Sequence, residues 1–183
     1  MATAEQHERT DRRPSPAAGI MYGIGLGGFV DGIVLHQILQ WHHLLTATDA
    51  HPANTVAGLE ANTLADGLFH AAAWIAVLAG LWALWRATRD GATWTFRRLS
   101  GLMLAGWGAF NLVEGVVDHH LLRIHHVRDD VSDPLPCDLG FLAFGAVLVS
   151  MWCHWRIWWS TIPSTKPPRP MPSRMPGPVS PSP

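Results

Sequence analysis

The sequence is short of charge. Asp, Glu, Lys and Arg together make 15% of it, where soluble domains carry about a quarter. A fully water-facing surface is therefore excluded. Cysteine is scarce too, with only Cys137 and Cys153. On one predicted helix they stand about 24 Å apart at the α-helical rise, too far for a disulfide, which excludes a cross-linked scaffold. Tyrosine occurs once against ten Trp, and that excess of Trp suits a chain meeting a membrane interface. Net charge is −1, so no basic patch points to nucleic acid. Gly23-x-Gly25-x-Gly27-Gly28 has no strand before it, and a dinucleotide fingerprint fails without one. Neither an HExxH motif nor a Ser–His triad is present.

What remains is apolar. Four spans follow one another: about Ala17 to Leu45, Leu64 to Trp85, Leu99 to Ile124 and Leu139 to Trp159. Each reaches the roughly 20 residues that a bilayer core demands. Residues 1–16 are polar and lack the leading apolar run of a signal peptide. The chain beyond residue 160 is Pro-rich and expected to be disordered. The expected organisation is a cytoplasmic tail (1–16), a four-span membrane domain (17–160) and a Pro-rich tail (161–183).

Lys and Arg set the orientation. Arg9, Arg12 and Arg13 precede the first span, Arg86, Arg89, Arg97 and Arg98 join the second to the third, and Arg156, Lys166, Arg169 and Arg174 follow the fourth. The first-to-second loop has none. The positive-inside rule puts both termini in the cytoplasm, and the expected location is an inner (cytoplasmic) membrane. Trp82, Trp85, Trp94, Trp155, Trp158 and Trp159 are then expected at the cytoplasmic interface.

The second anomaly is histidine, eleven in all. Residues 29–44 read FVDGIVLHQILQWHHL, and residues 112–127 read LVEGVVDHHLLRIHHV. Aligned without gaps, Asp31 meets Glu114, His36 meets His119, and His42–His43 meets His125–His126. The second spans match more weakly, Asp66-x-x-Phe69 against Asp138-x-x-Phe141, with His70 replaced by Leu142. Each unit is a pair of spans, about 17–86 and 99–160. The expected fold is an all-α integral membrane four-helix bundle built from two parallel two-span repeats.

At about 100° per residue, Asp31, His36, His42 and His43 share a face with Gly25, Gly28 and Gly32. Glu114, Asp118, His119, His125 and His126 share one with Gly108 and Gly115. Small residues let helices approach closely in lipid, so these faces are expected to meet. Depth sorts the residues on a straight helix. His36 lies about 7.5 Å outward of Asp31, and His42 and His43 about 16–18 Å outward. The expectation is three layers: Asp31 with Glu114, then His36 with His119, Asp118 and His70, then the outer His pairs. Asp66 and Asp138 are read as helix N-caps.

Three chemistries suit this set. Imidazole and carboxylate together suit Cu, Fe or Zn, with His36, His70, His119, Asp118, Asp31, Glu114, His42, His43, His125 and His126 as candidate ligands. Haem b with two axial His is an alternative. So is cofactor-free proton, ion or small-solute transport, since acids and His form relays in membranes. Against these stand plainer roles, such as a solvated helix end for the outer His pairs or an interhelical pair for Asp31 and Glu114. The lipid bilayer is the expected partner, and a homodimer or a respiratory-type membrane partner stays open.

The stretches DGIVLHQILQWHH, DGLFHAAAW and EGVVDHHLLRIHH resemble a family of bacterial four-span predicted membrane proteins grouped as a domain of unknown function. The resemblance covers roughly residues 17–160, and Asp31, His36, Gln37, His42, His43, His70 and His119 carry it. It implies the membrane location and the span count, and brings no activity.

Overall fold

Thr55 and Thr95 each begin a long helix by accepting a backbone N–H, from Gly58 at 3.1 Å and from Arg98 at 3.3 Å. Such caps satisfy donors that the first helical turn leaves unpaired. The computed structural model describes residues 15–161, with side chains through His154. The expected tails fall mostly outside the described residues. The elements are α1 (Ala17–Val30) continuing into a π-helical segment π1 (Asp31–Ile38), α2 (Val56–Arg89), α3 (Phe96–Glu114) continuing into π2 (Gly115–Leu121), and α4 (Leu135–Thr161). Four of the helical rods are long and apolar enough to cross a membrane: Ala17–Ile38, Val56–Arg89, Phe96–Leu121 and Leu135–His154.

The boundaries differ from the sequence expectation. The first rod stops at Ile38 rather than Leu45, and the second begins at Val56 rather than Leu64. The apolar run overshoots the first helix because Leu39, Leu44 and Leu45 belong to the loop between the first and second rods. It undershoots the second because Val56–Thr63 is a polar helical extension beginning at the Thr55 cap. At its other end α2 closes with Gly91 at φ 86°. Ala92 N–H donates to Ala87 O and Gly91 N–H to Thr88 O, the two bonds of a Schellman stop. Arg86 and Arg89 lie in that last turn, where cations complement the helix dipole. Each also lies over a Trp ring, Arg86 over Trp82 and Arg89 over Trp85.

α1 packs against both α2 and α3, and α3 packs against α1 and α4. α2 and α4 therefore flank a central α1–α3 pair and make no contact with each other among the described residues. The flanking helices turn Leu64, Leu68, Ile75, Leu139 and Val147 outward, as lipid-facing residues should be. The central pair meets backbone to backbone. A Cβ on Gly23 would stand 2.1 Å from Met103 O, and one on Gly106 would stand 2.1 Å from Ile20 O. The two contacts are reciprocal, since Gly23 and Ile20 align with Gly106 and Met103 in the repeat. Gly25 lies close on α2, where a Cβ would stand 2.6 Å from Val77, and Gly108 close on α4, where one would stand 2.5 Å from Gly145 O. The glycine faces legible in the sequence are thus the helix–helix interfaces.

Candidate metal centre

π1 and π2 build the site. At the C-terminal end of the first rod, Leu39 N–H donates to Val34 O and Trp41 N–H to Leu35 O. At the matching place in the third, Leu122 N–H donates to Val117 O and Ile124 N–H to Asp118 O. These bonds reach five and six residues back, wider than an α-helical turn. Two residues later in each unit the chain reverses through a left-handed residue, Gln40 at φ 50° and Arg123 at φ 52°. The reversal folds His42 and His125 back over the ends of their own helices.

The layered expectation fails at this point. His42 does not stand far outward of His36; their ring centroids are 4.3 Å apart. His125 likewise lies 4.8 Å from His119. The reading by depth assumed a straight helix as far as His43, and the helix ends before it. Asp31, His36, His42, Glu114, His119 and His125 form one buried cluster. Ligand atoms of three groups lie within 4.8 Å of one another: His36, His42 and His125; Glu114, His119 and His125; and Asp31, His36 and Glu114.

The protons on these imidazoles can be placed. His42 Nδ1 lies 2.9 Å from Val127 O, and His125 Nδ1 lies 3.2 Å from Leu44 O. A carbonyl oxygen only accepts, so each Nδ1 carries the proton and donates. Each neutral ring then offers a bare lone pair at Nε2. The two bonds are exchanged between the units, because Leu44 aligns with Val127. His36 Nδ1 donates to Asp66 Oδ1 at 2.9 Å, and His119 Nδ1 faces Asp138 Oδ1 at 3.5 Å. The Nε2 atoms of His36, His42, His119 and His125 are buried without a hydrogen-bond partner, as are Asp31 Oδ2 and both Glu114 oxygens. His36 Nε2 stands 3.1 Å from Asp31 Oδ2, and His125 Nε2 stands 3.4 Å from Glu114 Oε1, neither with the alignment of a hydrogen bond. Buried polar atoms without partners are costly, and here seven of them converge.

Both loop imidazoles are held neutral. Burial pushes His42 down to about 4, and the Asp31 carboxylate opposes that shift. Burial also pushes His125 well below the ordinary value, with His42, His119 and His36 adding to it. A neutral imidazole is the form that ligates a metal.

Asp66 and Asp138 are corrected by the structure. Asp66 lies within α2, not at its start, where Thr55 is the cap. Its carboxylate accepts from His36 Nδ1, from His43 Nδ1 at 2.7 Å and from Leu44 N–H at 2.9 Å. Gln37 donates to it at 3.3 Å. Asp138 does lie in the first turn of α4, but it accepts from His126 Nδ1 at 2.7 Å and Val127 N–H at 2.9 Å. Each acid holds a half-buried loop His and a loop amide together; Asp66 also holds the buried His36, while Asp138 faces the buried His119 at 3.5 Å without a hydrogen bond. The weak Asp-x-x-Phe match was the available signal. An acid inside an apolar span needs partners, and the nearby His supply them.

The remaining candidates fall outside the three groups. His43 and His126 are half-buried and turn their Nδ1 atoms to Asp66 and Asp138. His70 donates from Nδ1 to Asp66 O at 2.7 Å and packs against Gly32 and Phe29. Leu142 takes the corresponding place against Gly115. Asp118 is half-buried and makes no hydrogen bond among those described with its side chain.

The family model described as "Predicted membrane protein (DUF2243)" matches residues 18–159. Among curated proteins and among solved structures, nothing matches the chain.

Proposed function

The chain belongs to this DUF2243 family of predicted membrane proteins, and we propose that it is an integral membrane metal-binding protein. A transition-metal ion binds between its two halves, at Asp31, His36, His42, Glu114, His119 and His125. The observation that carries the reading is the convergence of four buried imidazole Nε2 atoms with no partner, three of them on rings whose Nδ1 already donates to an oxygen. An imidazole tied down at one nitrogen and bare at the other is the usual form of a metal-ligating His, and an outer carboxylate strengthens it. Nitrogen with carboxylate oxygen suits Fe, Zn or Cu held by His. A bare ion fits this packing better than haem b, because the rings of His36, His42, His119 and His125 already lie within 4.3–4.8 Å of a neighbour.

Two parallel repeats related by an axis along the membrane normal would account for the site. The reciprocal glycine contacts and the exchanged His–carbonyl bonds support this. The Arg-rich ends of the helices lie away from the site, which supports a cytoplasmic placement of both termini and a centre opening outward. An ion held there can change oxidation state or be passed to another protein, and both uses require binding first.

The test is elemental analysis with a visible spectrum on detergent-solubilised protein, repeated after His36→Ala with His119→Ala. Stoichiometric Cu, Fe or Zn, lost in the double variant, is expected. Metal-free protein, or a Soret band, would overturn the reading. A C-terminal reporter active only outside the cytoplasm would overturn the orientation.

A further inference from the structure

The three ligand groups form a ring. His36 belongs to two of them, Glu114 to two and His125 to two, while Asp31, His42 and His119 each belong to one. The chemistry of the shared residues decides how many ions the ring can hold. An imidazole Nε2 has one lone pair and serves one ion. A carboxylate has two oxygens and can serve two ions at once. An ion in the group of His36, His42 and His125 takes the lone pairs of both shared histidines, which leaves Asp31 and Glu114 no nitrogen and the other group only His119. The groups Asp31–His36–Glu114 and Glu114–His119–His125 share only a carboxylate, so both can be filled together.

Glu114 is placed for that role. Both of its oxygens are buried without a hydrogen-bond partner. Oε1 stands 3.4 Å from His125 Nε2, which leaves Oε2 for the other group. Asp31 Oδ2, 3.1 Å from His36 Nε2, supplies a terminal oxygen there. Carboxylate-bridged ion pairs stand about 3.5–4 Å apart, a separation that one glutamate can span.

We propose that the centre is dinuclear, with one transition-metal ion held by Asp31, His36 and Glu114, a second by Glu114, His119 and His125, and the Glu114 carboxylate bridging them. The inference rests on the metal reading above. Its stoichiometry separates the two: the metal reading needs at least one ion, and this one needs two.

The probe is Co2+ added to chelator-stripped, detergent-solubilised full-length protein, followed by its visible d–d absorption to the endpoint. Two equivalents per chain are expected. His119→Ala and Glu114→Gln should each fall to one equivalent, the latter because an amide does not bridge. His70→Ala should keep two, since His70 belongs to none of the three groups. One equivalent in the unaltered protein, lost in His42→Ala and kept in His119→Ala, would place a single ion among His36, His42 and His125 and overturn the dinuclear centre alone. No binding would overturn both readings. The unaltered chain decides the count, so a variant that fails to fold does not rescue the proposal.

Discussion

His42 and His125 stack face to face, with ring centroids 4.6 Å apart and planes 7° from parallel. They occupy the same position in the two halves of the sequence, and each donates from Nδ1 to a carbonyl in the other half's loop. Stacking and exchanged bonds fix both rings, so their bare Nε2 atoms hold position without a ligand. Such preorganisation lowers the ordering cost of binding.

The first prediction concerns pH. His42 titrates near 4 in the folded protein because of burial, against about 6.5 unfolded. Between those values the unfolded chain binds the extra proton and the folded one does not. Stability is therefore full above about pH 6.5 and falls as pH drops toward 4. His125 is shifted in the same direction and adds to the loss. Thermal melting of metal-free protein in detergent should show the melting temperature falling by several degrees from pH 7 to pH 5. A flat profile would contradict the neutral, buried placement of these rings.

A second prediction separates holding a ligand from being one. Asp66 and Asp138 touch His36, His43, His119 and His126 from behind. Asp66→Ala or Asp138→Ala should weaken metal affinity about 10–100-fold without abolishing it, the usual cost of losing such a partner. Competition titration against a chelator of known affinity measures this. An unchanged affinity in both variants would remove the carboxylates from the account.

The α1–α3 crossing yields a third. Gly23→Ala would press a methyl into Met103 O, and Gly106→Ala into Ile20 O. Each should cost about 1–3 kcal/mol, the range for overpacked interiors. The double variant should cost less than the sum, because moving the helices apart once relieves both contacts. Melting temperature in one fixed detergent reports it, and additive losses would argue against a shared crossing.

Backbone strain supplies a fourth. Gln40 and Arg123 adopt left-handed conformations, which cost an L-residue roughly 1–2 kcal/mol. Gln40→Gly should be tolerated or slightly stabilising, while Gln40→Val should destabilise by about that amount and weaken metal binding by displacing His42. Equal behaviour of the two variants would mean the reversal does not depend on that residue.

Much of this was legible in the sequence, for identifiable reasons. Low charge and long apolar runs report the solvent directly, so the four spans and all-helical fold followed. The paired acid-and-histidine stretches and the glycine face survived because spacing along a helix fixes direction. The reach of His42 and His125 was hidden, since Gln40 and Arg123 are good helix formers and nothing marks them as the points where the chain turns. Treating the segment as straight placed both histidines in an outer layer. Asp66 was misread for a related reason. The apolar run begins near it, while the helix begins at Thr55, beneath a polar stretch that hydropathy alone assigns to a loop.

The exchanged bonds also bear on how the protein is made. A ribosome that has delivered only the first pair of spans has delivered Asp31, His36 and His42, but no ligand group is complete and Val127, the partner of His42, does not yet exist. The third span brings Glu114 and His119 together, and the loop after it brings His125 and Val127. On the proposed reading, loading with metal therefore comes late in biogenesis, after the third span is inserted. A chain abandoned halfway holds none of the three groups complete, so under that reading a bound ion would certify that both halves have arrived.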